Sequence, residues 1–201
     1  MYQLYDFLPS GNGYKVRLLL KLLNIPYKRI ELNILERETR NLEFLQKNPN
    51  GKIPLLEISP NQYLAESNAI LYYLSQGTDF FPCDRYAQAQ VMQWLFFEQY
   101  SHEPFIATAR YWISILKQGE KHQEQLQHKY RLGYAALNVM EQHLKNHNFF
   151  VNEVYTIADI SLYAYTHVAD EGGYDLNQFP AILAWLKRVA NQPNHILITD
   201  Y

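Results

Sequence analysis

Apolar and polar positions follow two different patterns along the chain. In the first part, short apolar runs alternate with helical periods. A β-type run breaks at Pro9, passes through Ser10, Gly11, Asn12 and Gly13, and then turns amphipathic, with Val16, Leu19, Leu20 and Leu23 at i, i+3, i+4 and i+7 on one helix face. "NIP" (Asn24 to Pro26) ends that helix ahead of the strand-like "YKRIEL". A second helical stretch covers about 38–45. "PLLEIS" and "QYLA" follow as a hairpin around Ser59-Pro60-Asn61, with proline at the favoured second turn position. From Ser67 the period is helical again through Ile70, Leu71 and Leu74, so residues 1–76 read as β-α-β-α-β-β-α.

The stretch "GTDFFPCDR" (77–85) has no period and reads as a linker. From Tyr86 onward the pattern is helical over about 86–117, 120–146, 157–169 and 180–191, the last opened by Pro180 at a first-turn position. Residues 86–201 thus form an all-α bundle, joined to an α/β first domain.

Composition narrows the function. With 201 residues, 48% of them hydrophobic and 15% aromatic, the chain can bury a sizeable core. Eighteen basic against twenty acidic residues leave a net charge of −2 with no basic block, which speaks against nucleic acid or an anionic membrane as partner. Cys83 is the single cysteine, so an internal disulfide or a CxxC redox pair is excluded and a reducing compartment is expected. With no signal pattern and no long apolar run, a cytoplasmic location is expected. Seven histidines show no metal-ligand spacing, so no metal is expected.

Two segments carry candidate chemistry. In "NPNGKIPLLE" a proline stands at the mouth of a strand, where it has no N–H to give to a ladder. One use of such a proline is a cis Ile53–Pro54 bond, which turns the preceding backbone polar groups outward toward a ligand; composition alone does not call for it. In "YLAESNAIL" Glu66 and Ser67 end a strand and open a helix, so a hydroxyl and free first-turn N–H groups suit a carboxylate, and Glu66 suits an ammonium group. Together they describe an amino-acid head group; an ordinary helix cap with a solvated glutamate fits the same residues.

"SGNGYKV", "NPNGKIP" and "ES", in this order within β-α-β-α-β-β-α, resemble the glutathione S-transferase family. So do "TIADISLY" (Thr156 to Tyr163), which is similar to that family's capping box, with Thr156 as N-cap, Asp159 at N3 and Tyr155 opposite Ile160 as a staple, and "FPAILAWLKRV" near the end. The likeness runs over nearly the whole chain. It is closest to the bacterial soluble enzymes, the cyanobacterial chi type among them, with a first loop similar to theta and zeta members.

The resemblance implies a thioredoxin-like first domain, a helical second one, and glutathione as co-substrate. Ile53, Pro54, Glu66, Ser67, Lys52 and Asn12 are its implied glutathione contacts, and Ser10 matches the residue that donates a hydrogen bond to the glutathione sulfur. One hydroxyl is enough for that task. Lowering a thiol pKa of ~8.5 by ~2 units takes ~2.7 kcal/mol of preference for the anion, and a hydrogen bond to a charged acceptor supplies ~1.5–3 kcal/mol. Tyr5, near the place of the donor in tyrosine-type members, and Asn12 are rivals for the role. Asn12 also stands where zeta members carry cysteine, so no enzyme sulfur is available for glutaredoxin-like exchange.

The implied reaction is detoxifying conjugation of glutathione to hydrophobic electrophiles, with Phe105, Tyr111 and Tyr165 as the electrophile wall. Peroxidase, dehalogenase or isomerase activity on the same scaffold, or a non-catalytic binding module, remain open alternatives. A homodimer through the helices at 67–76 and 86–117 is also implied, with Tyr72, Tyr73, Trp94, Phe96 and Phe97 as its apolar supply.

Overall fold

The computed structural model describes residues 1–201. They form two compact units, Met1–Gln76 together with Pro193–Tyr201, and Gly77–Gln192.

The first unit is built on β1 (Tyr2–Asp6), α1 (Gly11–Leu22), β2 (Tyr27–Glu31), α2 (Leu42–Lys47), β3 (Leu55–Ser59), β4 (Gln62–Ala65) and α3 (Ser67–Ser75). The sheet order is β2-β1-β3-β4. β1 runs parallel to β2, with Tyr2 opposite Tyr27, and antiparallel to β3, with Tyr5 opposite Leu55. This mixed four-stranded sheet with α1 packed on α3 is a thioredoxin-like domain. Leu4, Val16, Leu19, Leu20, Leu56, Ile70 and Leu71 are fully buried and form its core, which stabilises the unit through the apolar area taken out of water. The hairpin turns at Asn61, whose φ of 63° is one that asparagine tolerates better than most residues.

The element order expected for residues 1–76 is the one observed. α1 differs from its expected form: it is buried nearly all round, and Lys15 and Arg17 are as inaccessible as its leucines. The segment Pro193–Tyr201 explains part of this. It belongs to the first unit, whereas a helical domain reaching residue 201 was expected; hydrogen bonds from α1 hold it there.

The second unit is helical, with α4 (Arg85–Phe97), α5 (Glu103–Arg110), α6 (Gln123–Leu144), α7 (Ile157–Thr166) and α8 (Pro180–Ala190). The single helix expected over about 86–117 is interrupted by π turns at Glu98–His102 and Tyr111–Ile115. Pro104 gives a physical reason for the first: proline has no N–H to donate and crowds the carbonyl four residues back, so it is accommodated in the first turn of a new helix. The expected linker is not free chain. Phe81 is buried, the Phe80 carbonyl accepts from Ile157 N at 3.0 Å, and Asp84 caps α4 by accepting from Ala87 N at 2.8 Å.

α7 begins with the expected capping box. Thr156 Oγ1 accepts from Ala158 N at 3.3 Å and Asp159 Oδ2 from Thr156 N at 3.0 Å. Asp159 does more than cap, since its Oδ1 accepts from Trp185 Nε1 at 2.9 Å and from Phe150 N at 3.2 Å. Trp94, expected on a dimer face, is instead part of this core, with its ring 4.5 Å from that of Phe150 and 5.3 Å from that of Phe97. Tyr72, Tyr73 and Phe96 are exposed.

Candidate functional site

The loop between β1 and α1 is closed by a hydrogen bond from Ser10 N to Phe7 O at 2.8 Å. Ser10 is the N-cap of α1, in extended backbone conformation, and its Oγ accepts from Gly13 N at 3.2 Å. That bond uses one lone pair of the hydroxyl. A serine hydroxyl has two lone pairs and one proton, so capping and donation to a sulfur are compatible roles for this residue. Residue 13 is a glycine for a steric reason. A Cβ on it would lie 1.6 Å from Asp6 Oδ1, so any side chain would push the first turn of α1 off the end of β1.

Asn12 joins this turn to α3. Its Oδ1 accepts from Ser67 Oγ at 3.1 Å. Ser67 is buried at the first position of α3, and Glu66 before it is exposed. Glu66 holds φ 69° and ψ 114°, a conformation a non-glycine residue adopts only at a cost of ~1–3 kcal/mol. Glu66 is itself the N-cap of α3 and makes no side-chain cap bond, so Ser67 stands at the first position inside the helix. Ser10, Asn12 and Ser67 are therefore connected through two short helix starts, and Glu66 adjoins them.

Ile53–Pro54 is cis. Pro54 is buried, Ile53 half-buried and Lys52 exposed. Asn48 shapes this loop, donating from Nδ2 to Lys52 O at 2.8 Å and accepting from Asn50 N at 3.2 Å. Tyr5 is committed elsewhere: its hydroxyl donates to Glu57 Oε2 at 3.2 Å, and burial, with Glu57 nearby, pushes its pKa up to about 12.

Two residues with no assigned role in the sequence reading support the loop. Arg17 Nε donates to Asp6 Oδ2 at 2.8 Å, with both side chains fully buried. Burial pushes the Asp6 carboxyl up to about 6 despite the Arg17 charge. The available signal was an arginine among Val16, Leu18, Leu19 and Leu20, and an aspartate at the end of an apolar strand.

Phe105, Tyr111 and Tyr165 all belong to the second unit, on three different elements. Phe105 is half-buried on α5 and borders an apolar groove of about 630 Å³ with Phe97, Tyr100, Leu132 and Val139. Tyr111 opens the second π turn, and Tyr165 is buried in α7. The structure gathers no group of three or more His, Cys, Asp or Glu side chains suited to a metal ion, and no helix is long and apolar enough to cross a membrane.

The first unit is thus a thioredoxin-like domain with Ser10 at the start of α1 and Ser67 at the start of α3. Residues 1–76 match the family model described as glutathione S-transferase, N-terminal domain, and residues 90–193 match that of the C-terminal domain. The chain belongs to the glutathione S-transferase family. A crystal structure of a glutathione S-transferase from Pseudomonas fluorescens [Pf-5] shares 48% identity and a TM-score of 0.97, over 99% of both chains. A structure of Ure2p in complex with glutathione shares 26% identity and a TM-score of 0.85, over 96% of this chain and 91% of that one. The disulfide-bond oxidoreductase YfcG of Escherichia coli (strain K12) is 29% identical, over 96% of this chain and 92% of its own length.

Proposed function

We propose that this protein binds glutathione on its first unit, lowers the thiol pKa through a hydrogen bond from Ser10, and conjugates the thiolate to hydrophobic electrophiles as a cytoplasmic, homodimeric detoxifying enzyme. The carrying observation is the Ser10 hydroxyl at the start of α1, whose oxygen accepts from Gly13 N, an arrangement compatible with donation of its proton to an anion. Glu66 holds the amino group of the glutathione head, and Ser67 with the first turn of α3 holds its carboxylate. Asn12 ties the two helix starts together, Ile53 offers backbone to the peptide, Pro54 ends that loop, and Lys52 meets a second carboxylate. Phe105, Tyr111 and Tyr165 supply apolar surface to the electrophile. Thiolate stabilisation by a preorganised donor is the catalytic step. Retention on immobilised glutathione, followed by turnover with a panel of aryl halides and enones, tests this reading; a protein that binds and turns over nothing contradicts it.

The likeness to YfcG supports a second reading, glutathione-dependent reduction of disulfides. The loop has no cysteine, yet a glutathione thiolate held by Ser10 is itself an attacking sulfur. It would displace one thiolate from a disulfide to give a mixed disulfide, which a second glutathione thiolate resolves to glutathione disulfide and the second thiol. Turnover of bis(2-hydroxyethyl) disulfide with glutathione, set against the electrophile panel, separates the two.

A further inference from the structure

Arg17 makes contacts that packing alone does not require. Its guanidinium reaches three parts of the first unit from one buried position: Nε donates to Asp6 Oδ2 at 2.8 Å, Nη2 to Leu8 O at 2.7 Å, and Nη1 to Ile198 O at 3.0 Å and to Asp200 O. Leu8 O is the carbonyl of the peptide that enters Pro9, two residues before Ser10. Proline fixes its own φ, and Ser10 N is bound to Phe7 O. The direction of the Leu8 carbonyl therefore sets where the Ser10 hydroxyl stands. The outer face of the guanidinium is closed by the segment Ile196–Asp200, which Tyr14 holds as well: its hydroxyl donates to Ile196 O at 2.7 Å, and Arg17 lies 5.6 Å from its ring. Leu8 N donates in turn to Glu31 Oε1 at 3.1 Å, so the loop is gripped at both polar groups of Leu8.

We propose that Arg17, fixed by Asp6 on one side and by the Ile196–Asp200 segment on the other, is a positioning residue for Ser10, holding the Leu8–Ser10 loop at the angle from which the hydroxyl meets the glutathione sulfur. This rests on the reading of Ser10 as the thiolate donor. A planar fork bonds several carbonyls at fixed angles, which a lysine ammonium in the same place does not reproduce.

The test is ultraviolet titration of the thiol of bound glutathione in wild type, Arg17→Lys and Tyr14→Phe, with the affinity for S-methylglutathione as the measure of peptide binding alone. Arg17→Lys is expected to raise the pKa of the bound thiol by about one unit, which lowers the ratio of thiolate to thiol about tenfold, while S-methylglutathione affinity stays within about threefold. Tyr14→Phe, which keeps the guanidinium and loosens only its outer support, moves the same way by about two- to threefold; it decides the matter if Arg17→Lys does not fold. Folded variants whose bound thiol is as acidic as in wild type overturn the positioning role and leave Ser10 in place. A wild type that leaves the bound thiol no more acidic than free glutathione removes the Ser10 reading, and this proposal with it.

Discussion

Ser67 Oγ donates to Asn12 Oδ1 at 3.1 Å, joining the first turns of α1 and α3 across 55 positions of sequence. The bond fixes two helix starts relative to each other at the place assigned to the glutathione head group. Asn12→Ala and Ser67→Ala should each weaken glutathione binding by about threefold or more, and the double variant by less than the product, with a coupling of ~0.5–3 kcal/mol. Titration calorimetry on the four proteins measures this. Strictly multiplicative losses would show that the bond contributes nothing to the site.

Glu66 adjoins this contact and is exposed at a positive φ. Glu66→Ala should raise the glutathione dissociation constant far more than it lowers turnover at saturating glutathione, because it acts on the head group and not on sulfur. Equal affinity in wild type and Glu66→Ala would remove the head group from this position.

Thr156 and Asp159 are structural, and unequally so. Thr156→Ala should cost ~0.5–2 kcal/mol, the usual loss for a helix cap. Asp159→Ala should cost clearly more, since Trp185 Nε1 and the backbone N–H of Phe150 lose their acceptor together, each lost buried partner being worth ~1–3 kcal/mol. Denaturant melts give both values. A stable Asp159→Ala protein with lost activity would instead make Asp159 part of the chemistry.

Asp6 gives the stability a pH dependence of definite sign. Its folded carboxyl titrates at about 6, pushed up chiefly by burial, while an unfolded aspartate titrates near ~4. The Asp6 contribution is thus fully present below about pH 4 and is lost as pH rises through about 6. The melting-temperature difference between wild type and Asp6→Asn should shift in favour of wild type on going from about pH 7 to about pH 4. A constant difference would show that Asp6 titrates normally in the fold.

Much of the fold was legible because its signals are local. The β-α-β-α-β-β-α order, the hairpin at Pro60-Asn61 and the Thr156–Asp159 box each depend on residues a few positions apart. Pro104, which breaks the long helix of the second unit, is local too, but the π turns that absorb it alter the period only slightly. Arg17 was not legible. Helical spacing does not separate Arg17 from the exposed Lys21; what buries Arg17 includes bonds to the carbonyls of Ile198 and Asp200, more than 180 positions away. Of the candidate site, Ser10, Asn12 and Ser67 were named from the sequence, and the hydrogen bond between Ser67 and Asn12 was not. Trp94 was placed on a surface because an aromatic on a helix carries no mark of which side is core.

The measurement that bears most directly on the central claim is the pKa of the thiol of bound glutathione in wild type, Ser10→Thr and Ser10→Ala. Loss of the cap costs Ser10→Ala ~0.5–2 kcal/mol, so the titration is run well below its melting point. Wild type and Ser10→Thr should hold the bound thiol about two units below its free value of ~8.5. Ser10→Ala should return most of that shift and cut turnover at least about tenfold, with glutathione affinity within a few-fold. An unchanged pKa in Ser10→Ala, with the shift lost instead in Tyr5→Phe or Asn12→Ala, would contradict the assignment of the thiolate donor.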